Sequence, residues 1–217
     1  MTASRLVMPS QLAYRRHVMF AVELVDAVSL ARVSRGASVV ADGLQRLPVI
    51  NASGLFVWLR EDLAALTRIA IDTGTLPLER AEVAATDLHL PLHTVQLAPR
   101  SDYPLERGTT AIRATLVNTR ADLVPVTGAS VHLGWLDDGG LVWHDAPTRS
   151  RTNAHGDFAC VARLAASDEP RLDAAVAMTV RLVAQRDGQG RRTSFPFQIP
   201  QGRVADEMTF AWAELQP

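Results

Sequence analysis

The chain has 217 residues, 47% of them hydrophobic and 21% charged, which is the composition of a globular protein rather than a disordered one. Its 22 basic residues, all of them arginine, nearly balance 23 acidic residues, so the net charge of −1 gives no chain-wide attraction to nucleic acid or to an anionic membrane. Cys160 is the only cysteine, which excludes an intrachain disulfide.

Residues 1–17 form an N-terminal arm ahead of the first predicted strand. The apolar stretch after Arg15 and Arg16 is short and is interrupted at Glu23 and Asp26, which is unlike a secretory signal. No stretch approaches the roughly 18 apolar residues of a membrane-spanning helix. The sequence therefore predicts a cytoplasmic protein, or one released in a particle by a route that needs no cleaved signal.

The pattern of residues 18–98 predicts a first β-sandwich. Apolar and polar residues alternate in 18–28 and in 37–41, and glycine, proline, asparagine and aspartate separate these runs from further short ones. Another strand is predicted at 55–60, and the acidic pair at 61–62 suits the first turn of a short helix. Short strands at this close spacing are typical of a sandwich or a small barrel.

Residues 110–217 repeat the scheme as a second β-sandwich with a C-terminal tail. The predicted strand 130–136 is followed by the turn 137–140 and a return strand, and the turn 186–190 forms a second hairpin. Between the two halves, residues 99–109 contain proline, glycine and charged side chains, as short and semi-stiff linkers do. The predicted fold class is all-β, with two tandem sandwich domains that hold a preferred relative angle.

The string GASV occurs twice, at residues 36–39 and 128–131, and each copy precedes a turn that contains an asparagine and a glycine. We expect the turn glycines, Gly54 and Gly156, to adopt positive φ, the asparagines to bond the turn backbone, and the phenylalanine after each turn to point into the core. The residues concerned are Gly36, Asn51, Gly54 and Phe56 in the first half and Gly128, Asn153, Gly156 and Phe158 in the second. The strings therefore mark equivalent strands in two copies of one sandwich, and residues 137–147 are an insertion in the second copy.

These motifs resemble those of the carboxypeptidase regulatory-like and transthyretin-like group of β-sandwich domains. The matching residues in the second half are Gly128, Ala129 and Val131 at a strand entry, and Thr152, Gly156 and Phe158 at a turn. Asn153 stands where that group usually has aspartate, and the first half matches more loosely. The resemblance implies two tandem immunoglobulin-like or transthyretin-like domains, of a kind that often serves as an accessory module.

No catalytic motif stands out in the sequence. The nucleophile-elbow, phosphate-binding and zinc-protease motifs are absent from it. Cys160 lies in an apolar predicted strand, where a buried and inert thiol is expected. We therefore predict a protein without enzymatic activity and without a cofactor.

Two groups of histidines are candidate metal ligands. His89 and His93 are four residues apart, but Pro91 argues against a helix there, and an extended chain would hold the two roughly 13 Å apart. The second group consists of residues near predicted turns of the second half, namely His132, His144, His155, Asp137, Asp138, Asp145 and Asp157. Surface histidines and turn carboxylates explain both groups better than a bound ion, so no metal site is predicted.

Candidate interaction residues lie in three places. In the arm they are the apolar side chains of Leu6, Val7, Met8, Leu12 and Tyr14. Trp135 and Trp143 flank the turn 137–140, and their even separation predicts that both face one side of the hairpin, which is either the core or an exposed platform. Trp212 is expected to anchor the C-terminal tail to its own domain or to a neighbour.

The sequence thus favours a non-enzymatic structural or adaptor protein that docks with protein partners in a larger assembly through sheet edges and loops. By analogy with the accessory modules it resembles, a phage-tail-like contractile injection particle is one candidate assembly. One alternative is a carbohydrate- or peptide-binding module that uses the tryptophan hairpin. A second is a transthyretin-like hydrolase, although the sequence lacks the clustered histidine and arginine and the C-terminal motif of those enzymes.

Overall fold

The structure is a computed structural model that describes residues 18–59 and 63–217. In these ranges the chain is all-β, and its helices are three single turns of 3-10 helix at Leu63–Ala65, Ala85–Asp87 and Trp212–Glu214. The strands of the first half are β1 (Val18–Asp26), β2 (Ser38–Asp42), β3 (Val49–Ile50), β4 (Phe56–Leu59), β5 (Arg68–Asp72), β6 (Ala81–Ala84) and β7 (Leu92–Leu97). Those of the second half are β8 (Ala111–Val117), β9 (Ser130–Leu136), β10 (Trp143–Asp145), β11 (Ser150–Arg151), β12 (Asp157–Val161), β13 (Ala177–Gln185), β14 (Arg191–Thr193), β15 (Phe197–Pro200) and β16 (Val204–Ala211).

Each half contains two sheets. In the first half the strand orders are β3-β4-β1-β7 and β2-β5-β6. In the second half they are β12-β8-β16 and β10-β9-β13-β14, and in the latter sheet β11 also pairs with β9 and β15 with β13. The C-terminal tail, expected as a short helix or an edge segment, forms both the edge strand β16 and the last 3-10 turn.

The two halves repeat one topology. The first strand of each half, β1 or β8, pairs antiparallel with β4 or β12 and parallel with the last strand, β7 or β16. In the other sheet β2 pairs antiparallel with β5, as β9 does with β13. The two GASV strings lead into β2 and β9, so they precede equivalent strands, as their repetition predicted.

Each half has its own hydrophobic core. In the first, Phe20 and Trp58 are fully buried and stack with ring centroids 4.5 Å apart, a geometry that contributes about 0.5–1.5 kcal/mol beyond burial. In the second, alternate residues of β8, β9, β12 and β13 converge on the core, which includes Phe158 and Cys160. Two separate cores agree with two sandwiches, while the domain limits 18–98, 99–109 and 110–217 stay predictions.

A polar junction joins the halves around Asp26 at the end of β1. The phenol of Tyr103, which lies in the predicted linker, donates to Asp26 Oδ2 at 2.5 Å and packs with the first core. Arg113 of β8 donates to the backbone oxygen of Tyr103 at 2.7 Å. The backbone oxygen of Ala27 accepts from Thr148 Oγ1 at 3.3 Å. These contacts tie the linker and both halves together, in line with a preferred relative angle.

Candidate functional site

The two asparagine-glycine turns have the same hydrogen bonds. In each turn, the asparagine Oδ1 accepts from the backbone N–H groups two and four residues ahead, which closes the turn without help from other segments. The distances are 3.0 Å from Ser53 and 2.9 Å from Leu55 to Asn51, and 2.8 Å from His155 and 2.9 Å from Asp157 to Asn153. Gly54 and Gly156 have φ of +79° and +80°, and Phe56 and Phe158 are buried in the two cores.

The two GASV glycines are also left-handed, with φ of +76° at Gly36 and +73° at Gly128. These turns shape the backbone ahead of β2, β4, β9 and β12.

Trp135 and Trp143 do not form a shared surface. In the β9–β10 pair Trp135 lies opposite His144, and Trp143 lies opposite Leu136. Directly opposite residues share a face, so the two tryptophans lie on opposite faces of the hairpin. The expectation of a common face was wrong. An even sequence separation gives a common face only within a single strand. Across this hairpin the residues that lie opposite each other are separated by an odd number of positions.

The tryptophans occupy different environments. Trp135 is buried in the second core and its ring stacks on His144 with centroids 4.4 Å apart. Trp143 is half-buried on the outer face, with the guanidinium of Arg181 4.4 Å from its ring centroid. Trp212 is buried in the second core, so it anchors the C-terminal tail to its own half. Only Trp143 offers part of a ring to solvent.

His132 is buried in the middle of β9, although a position near a surface turn was expected. Arg149 Nη1 lies 3.3 Å from His132 Nδ1, and because an arginine can only donate, Nδ1 is the acceptor and Nε2 carries the proton. Nε2 points to Asp145 Oδ2 at 3.4 Å. Burial, followed by the charge of Arg149, lowers the pKa of His132 below its usual value. The imidazole therefore lies between the charged side chains of Arg149 and Asp145, and its Nε2 makes no hydrogen bond.

The remaining candidates for metal binding do not converge. Within residues 18–59 and 63–217, no group of three or more His, Cys, Asp or Glu side chains is arranged to hold an ion. The rings of His89 and His93 are closer than an extended chain allows, with centroids 5.6 Å apart. The separation expected for an extended chain was wrong, because the chain bends and the backbone N–H of His89 donates to His93 Nδ1 at 3.2 Å.

Cys160 is fully buried in the second core, and burial raises the pKa of its thiol. A thiol in this setting stays protonated and is inaccessible to substrates. The arm candidates Leu6, Val7, Met8, Leu12 and Tyr14 lie outside the described residues. None of the helices in the described ranges is long and apolar enough to cross a membrane.

The structure reveals a surface that the sequence patterns did not single out, on the outer face of the sheet β3-β4-β1-β7. Ala21 lies opposite Val57 of β4 and beside Leu92 of β7, and Val57 lies opposite Val49 of β3. These four residues form one apolar line across four strands, which we call the outer apolar row. Its ends are exposed, Val49 by 52% and Leu92 by 44%.

Alternation shows that the row faces away from the core. Phe20 and Val22 flank Ala21 and belong to the first core, as do Phe56 and Trp58 on either side of Val57. Met19, 37% exposed, lies where the register between β1 and β4 shifts, between Val18 and Phe20. The imperfect alternation of residues 18–28 was the available sequence signal, since it leaves apolar residues at outward positions.

The outer face of the equivalent sheet in the second half carries both polar and apolar residues. Thr115 of β8 lies opposite Asp157 of β12 and beside Thr209 of β16, and Thr115 Oγ1 donates to Asp157 Oδ1 at 2.8 Å. This register matches that of Glu23 and Thr94 in the first half, which are also polar.

The register of Ala21 and Val57, counted from the equivalent residues Phe56 and Phe158, holds Arg113 opposite Ala159 in the second half. An arginine therefore stands where the outer apolar row has Ala21.

No protein-family model and no curated protein matches the chain. Among solved structures, the Bacillus anthracis TIE protein is 9% identical with a TM-score of 0.28, and the match covers 91% of this chain and 34% of that one. A minor pilin of Streptococcus agalactiae is 9% identical with a TM-score of 0.27, covering 88% and 94%. The shaft pilin SpaA of Lactobacillus rhamnosus is 7% identical with a TM-score of 0.27, covering 89% and 97%.

The chain spans about a third of the length of the TIE protein. Scores this low carry no argument about function, and the all-β fold stands on the strands and sheets of the chain itself. The finer resemblance to carboxypeptidase regulatory-like domains stays a prediction.

Proposed function

We propose that this chain is a non-enzymatic structural or adaptor protein that docks in a larger protein assembly through the outer apolar row. The observation that carries the proposal is the row itself, an apolar line over four strands with exposed ends, in which the second half has Arg113 at the position of Ala21. The exposed apolar side chains at its two ends, Val49 and Leu92, favour contact with another protein, while Ala21 and Val57 between them are buried. The occupant is a protein partner that presents a complementary apolar surface.

The position of the row supports a role for the N-terminal arm in the same contact. The arm joins β1 at Val18, whose side chain is 54% exposed, and Leu90 beside the start of β7 is 57% exposed. The backbone N–H of Ala21 donates to Pro91 at 2.8 Å, which places the start of β7 beside the row. Apolar arm residues would therefore enter the assembly next to the row.

The junction between the halves supports the structural part of the proposal. Asp26, Tyr103, Arg113 and Thr148 connect the two halves through side-chain and backbone hydrogen bonds. A hydrogen-bonded junction holds the two halves in one relative orientation. A partner bound at one half is then held at a defined position relative to the other half, which suits a component of an assembly. A contractile injection particle resembling a phage tail is the specific assembly we propose to test first, and carboxypeptidase regulatory-like domains are the specific family.

The test is capture of partners from native cell extract with the full chain and matched variants. Leu92→Lys places a positive charge at the exposed end of the row. Thr209→Lys places the same charge on the outer face of the sheet β12-β8-β16 in the second half. We expect the wild type and Thr209→Lys to retain the same set of partners and Leu92→Lys to lose it. Equal capture by Leu92→Lys and the wild type would contradict docking through the row.

The identity of the captured proteins tests the finer proposal. Mass spectrometry that finds tube or sheath proteins in a large particle supports the contractile particle. Recovery of a different set through the row supports an adaptor protein of another assembly and removes the particle. Deletion of residues 1–11 should weaken capture while the described strands stay folded, as checked by circular dichroism.

A further inference from the structure

Four of the edge strands, β3, β14, β15 and β16, carry features that prevent pairing with another sheet. β16 is interrupted by a bulge between Ala205 and Met208, and β14 carries Arg191 and Arg192. β15 ends in Pro200, which has no N–H to donate. β3 has only two residues and follows a proline at position 48. Such edges resist the addition of a further strand.

β2 has none of these features. It is five residues long, contains neither proline nor a basic residue, and pairs with β5 in an uninterrupted register from Ser38 to Asp42. Its one charge is neutralised within the sheet, because Arg68 Nε donates to Asp42 Oδ2 at 2.5 Å. Val40 is 42% exposed, while Val39 and Ala41 on either side belong to the first core. The edge strand is therefore apolar at its centre, and its one carboxylate is paired with Arg68.

The equivalent edge of the second half is already covered. β9 pairs with β13 on one side, and on the other side with β10 and β11, which belong to the insertion and the segment after it. Within the described residues β2 pairs with β5 alone. The repeated topology therefore supplies a covering strand for one copy of this edge, while no strand of the described ranges 18–59 and 63–217 covers the other copy.

We propose that the open edge of β2 pairs antiparallel with β2 of a second copy of this chain, centred on Val40. In this register Val40 lies opposite Val40 of the second copy, and Ser38 lies opposite Asp42. Apolar residues meet apolar residues, and each carboxylate meets a hydroxyl rather than a like charge, which is the favourable cross-strand arrangement. The two three-stranded sheets join into one sheet of six strands, β6-β5-β2 followed by β2-β5-β6.

Paired antiparallel with itself about Val40, the strand SVVAD sets apolar residues against apolar residues and Ser38 against Asp42, and this is why a second copy is the occupant. A different partner would need its own matching segment, whereas the second copy supplies the match by symmetry. Pairing over five residues buries little surface, so the expected dimer is weak and forms at high protein concentration or within an assembly that holds copies together.

The test is the concentration dependence of molecular mass of the full chain, measured by sedimentation equilibrium. Val40→Lys places two positive charges opposite each other in the proposed register, and because Val40 is exposed the fold is retained. We expect the dissociation constant of this variant to rise by about tenfold or more. The matched control is Ala84→Lys, on an exposed position of β6 at the far edge of the same sheet, which should dimerise as the wild type does.

A mixture of charge variants tests the register itself. Val40→Lys and Val40→Glu should each be monomeric alone, and an equimolar mixture should dimerise, because position 40 then faces an opposite charge. A wild type that stays monomeric at every concentration overturns the proposal, as does a mixture that stays monomeric although the wild type dimerises. Val40→Lys that dimerises as well as the wild type also overturns it.

The outcome is separate from that of the docking proposal. Leu92→Lys should lose captured partners and keep self-association, whereas Val40→Lys should lose self-association and keep the row intact. Circular dichroism and the thermal transition of each variant confirm that the charge has not unfolded the first sandwich.

Discussion

In the first half of the molecule the outer face of the sheet around β1 carries Ala21, Val57 and Leu92 in one line, whereas at the matching register the second half has Arg113 opposite Ala159. Within the described residues the edge of β2 pairs with no further strand, and the equivalent edge of β9 is covered by β10 and β11. The two halves thus share one topology but differ in which sheet edges and outer faces are covered. The uncovered edge and the outer apolar row both belong to the first half.

The largest difference between the halves is expected at the two turn glycines. A Cβ at Gly156 would lie 2.4 Å from the backbone oxygen of Leu116, which cannot move without disturbing β8. A Cβ at Gly54 would meet the side chains of Ser34 and Arg32 at 3.0–3.2 Å, and side chains can give way.

Both substitutions to alanine carry the strain of positive φ, but only Gly156→Ala adds a backbone clash. We expect Gly156→Ala to lower the free energy of unfolding of the second half by about 3 kcal/mol, and Gly54→Ala that of the first half by about 1 kcal/mol. Hydrogen exchange of the β8 and β1 amides reports each half separately. Equal losses would contradict the steric difference.

The second effect concerns the junction. Tyr103→Phe keeps the ring in the first core but removes the O–H that donates to Asp26, and we expect a loss of about 2 kcal/mol from the first half. Ser29→Ala is the matched control, since Ser29 Oγ also donates to Asp26 Oδ2, at 2.8 Å, but at a more exposed site. The junction variant should cost more, as measured by urea denaturation.

The same tyrosine gives an alkaline test. Burial and the hydrogen bond to Asp26 raise the pKa of Tyr103 from 10.0 to about 12. The unfolded chain then loses the phenol proton at lower pH than the folded chain, so stability falls as the pH rises from 10 to 12. Tyr103→Phe should flatten that part of the profile. A wild-type profile that shows no fall above pH 10 would contradict the buried phenol.

The third difference is between the turn asparagines. Asn153 is partly buried and its Nδ2 also donates to Ser101 Oγ at 3.1 Å, whereas Asn51 is exposed and bonds only its own turn. We expect Asn153→Ala to cost about 1.5 kcal/mol and Asn51→Ala about 0.5 kcal/mol. Denaturant titration of both variants measures the pair, and a larger cost at Asn51 would reverse the ranking.

The smallest effect is expected from His132, which lies in the second half. Its folded-state pKa is lowered below the ordinary value of 6.5 by burial, so the unfolded chain takes up the proton first as the pH falls. Stability of the second half should therefore decrease as the pH drops below 6.5. His132→Gln should reduce this slope, as followed by hydrogen exchange of β9. An unchanged slope would assign the effect to other groups.

Local turn chemistry was readable from the sequence. The asparagine, glycine and phenylalanine of each turn depend on a few neighbouring residues, so their repetition indicated equivalent turns and strands in both halves. The all-β class followed from the short alternating runs for the same reason. These features need no knowledge of which strands become neighbours.

The candidate sites depend on which strands become neighbours, and sequence patterns predicted these sites less well. The faces of Trp135 and Trp143 are set by the register across a hairpin, which spacing along the chain does not determine. The outer apolar row joins residues as far apart as Val49 and Leu92, because β1 lies between β4 and β7. The burial of His132 depends on Arg149 and Asp145 covering an outer face of β9. Each of these needed the sheet order.

The parallel pairing of first and last strands has a mechanical consequence. The chain enters β1 at Val18 and leaves β7 at Leu97, at opposite ends of a pair that runs in register from Ala21 beside Leu92 to Asp26 beside Leu97. A pull on the two ends of this half acts along the strands, so it loads the ladder of hydrogen bonds together in shear instead of opening them one after another. β8 and β16 repeat the arrangement, so tension along the chain meets two such clamps in series.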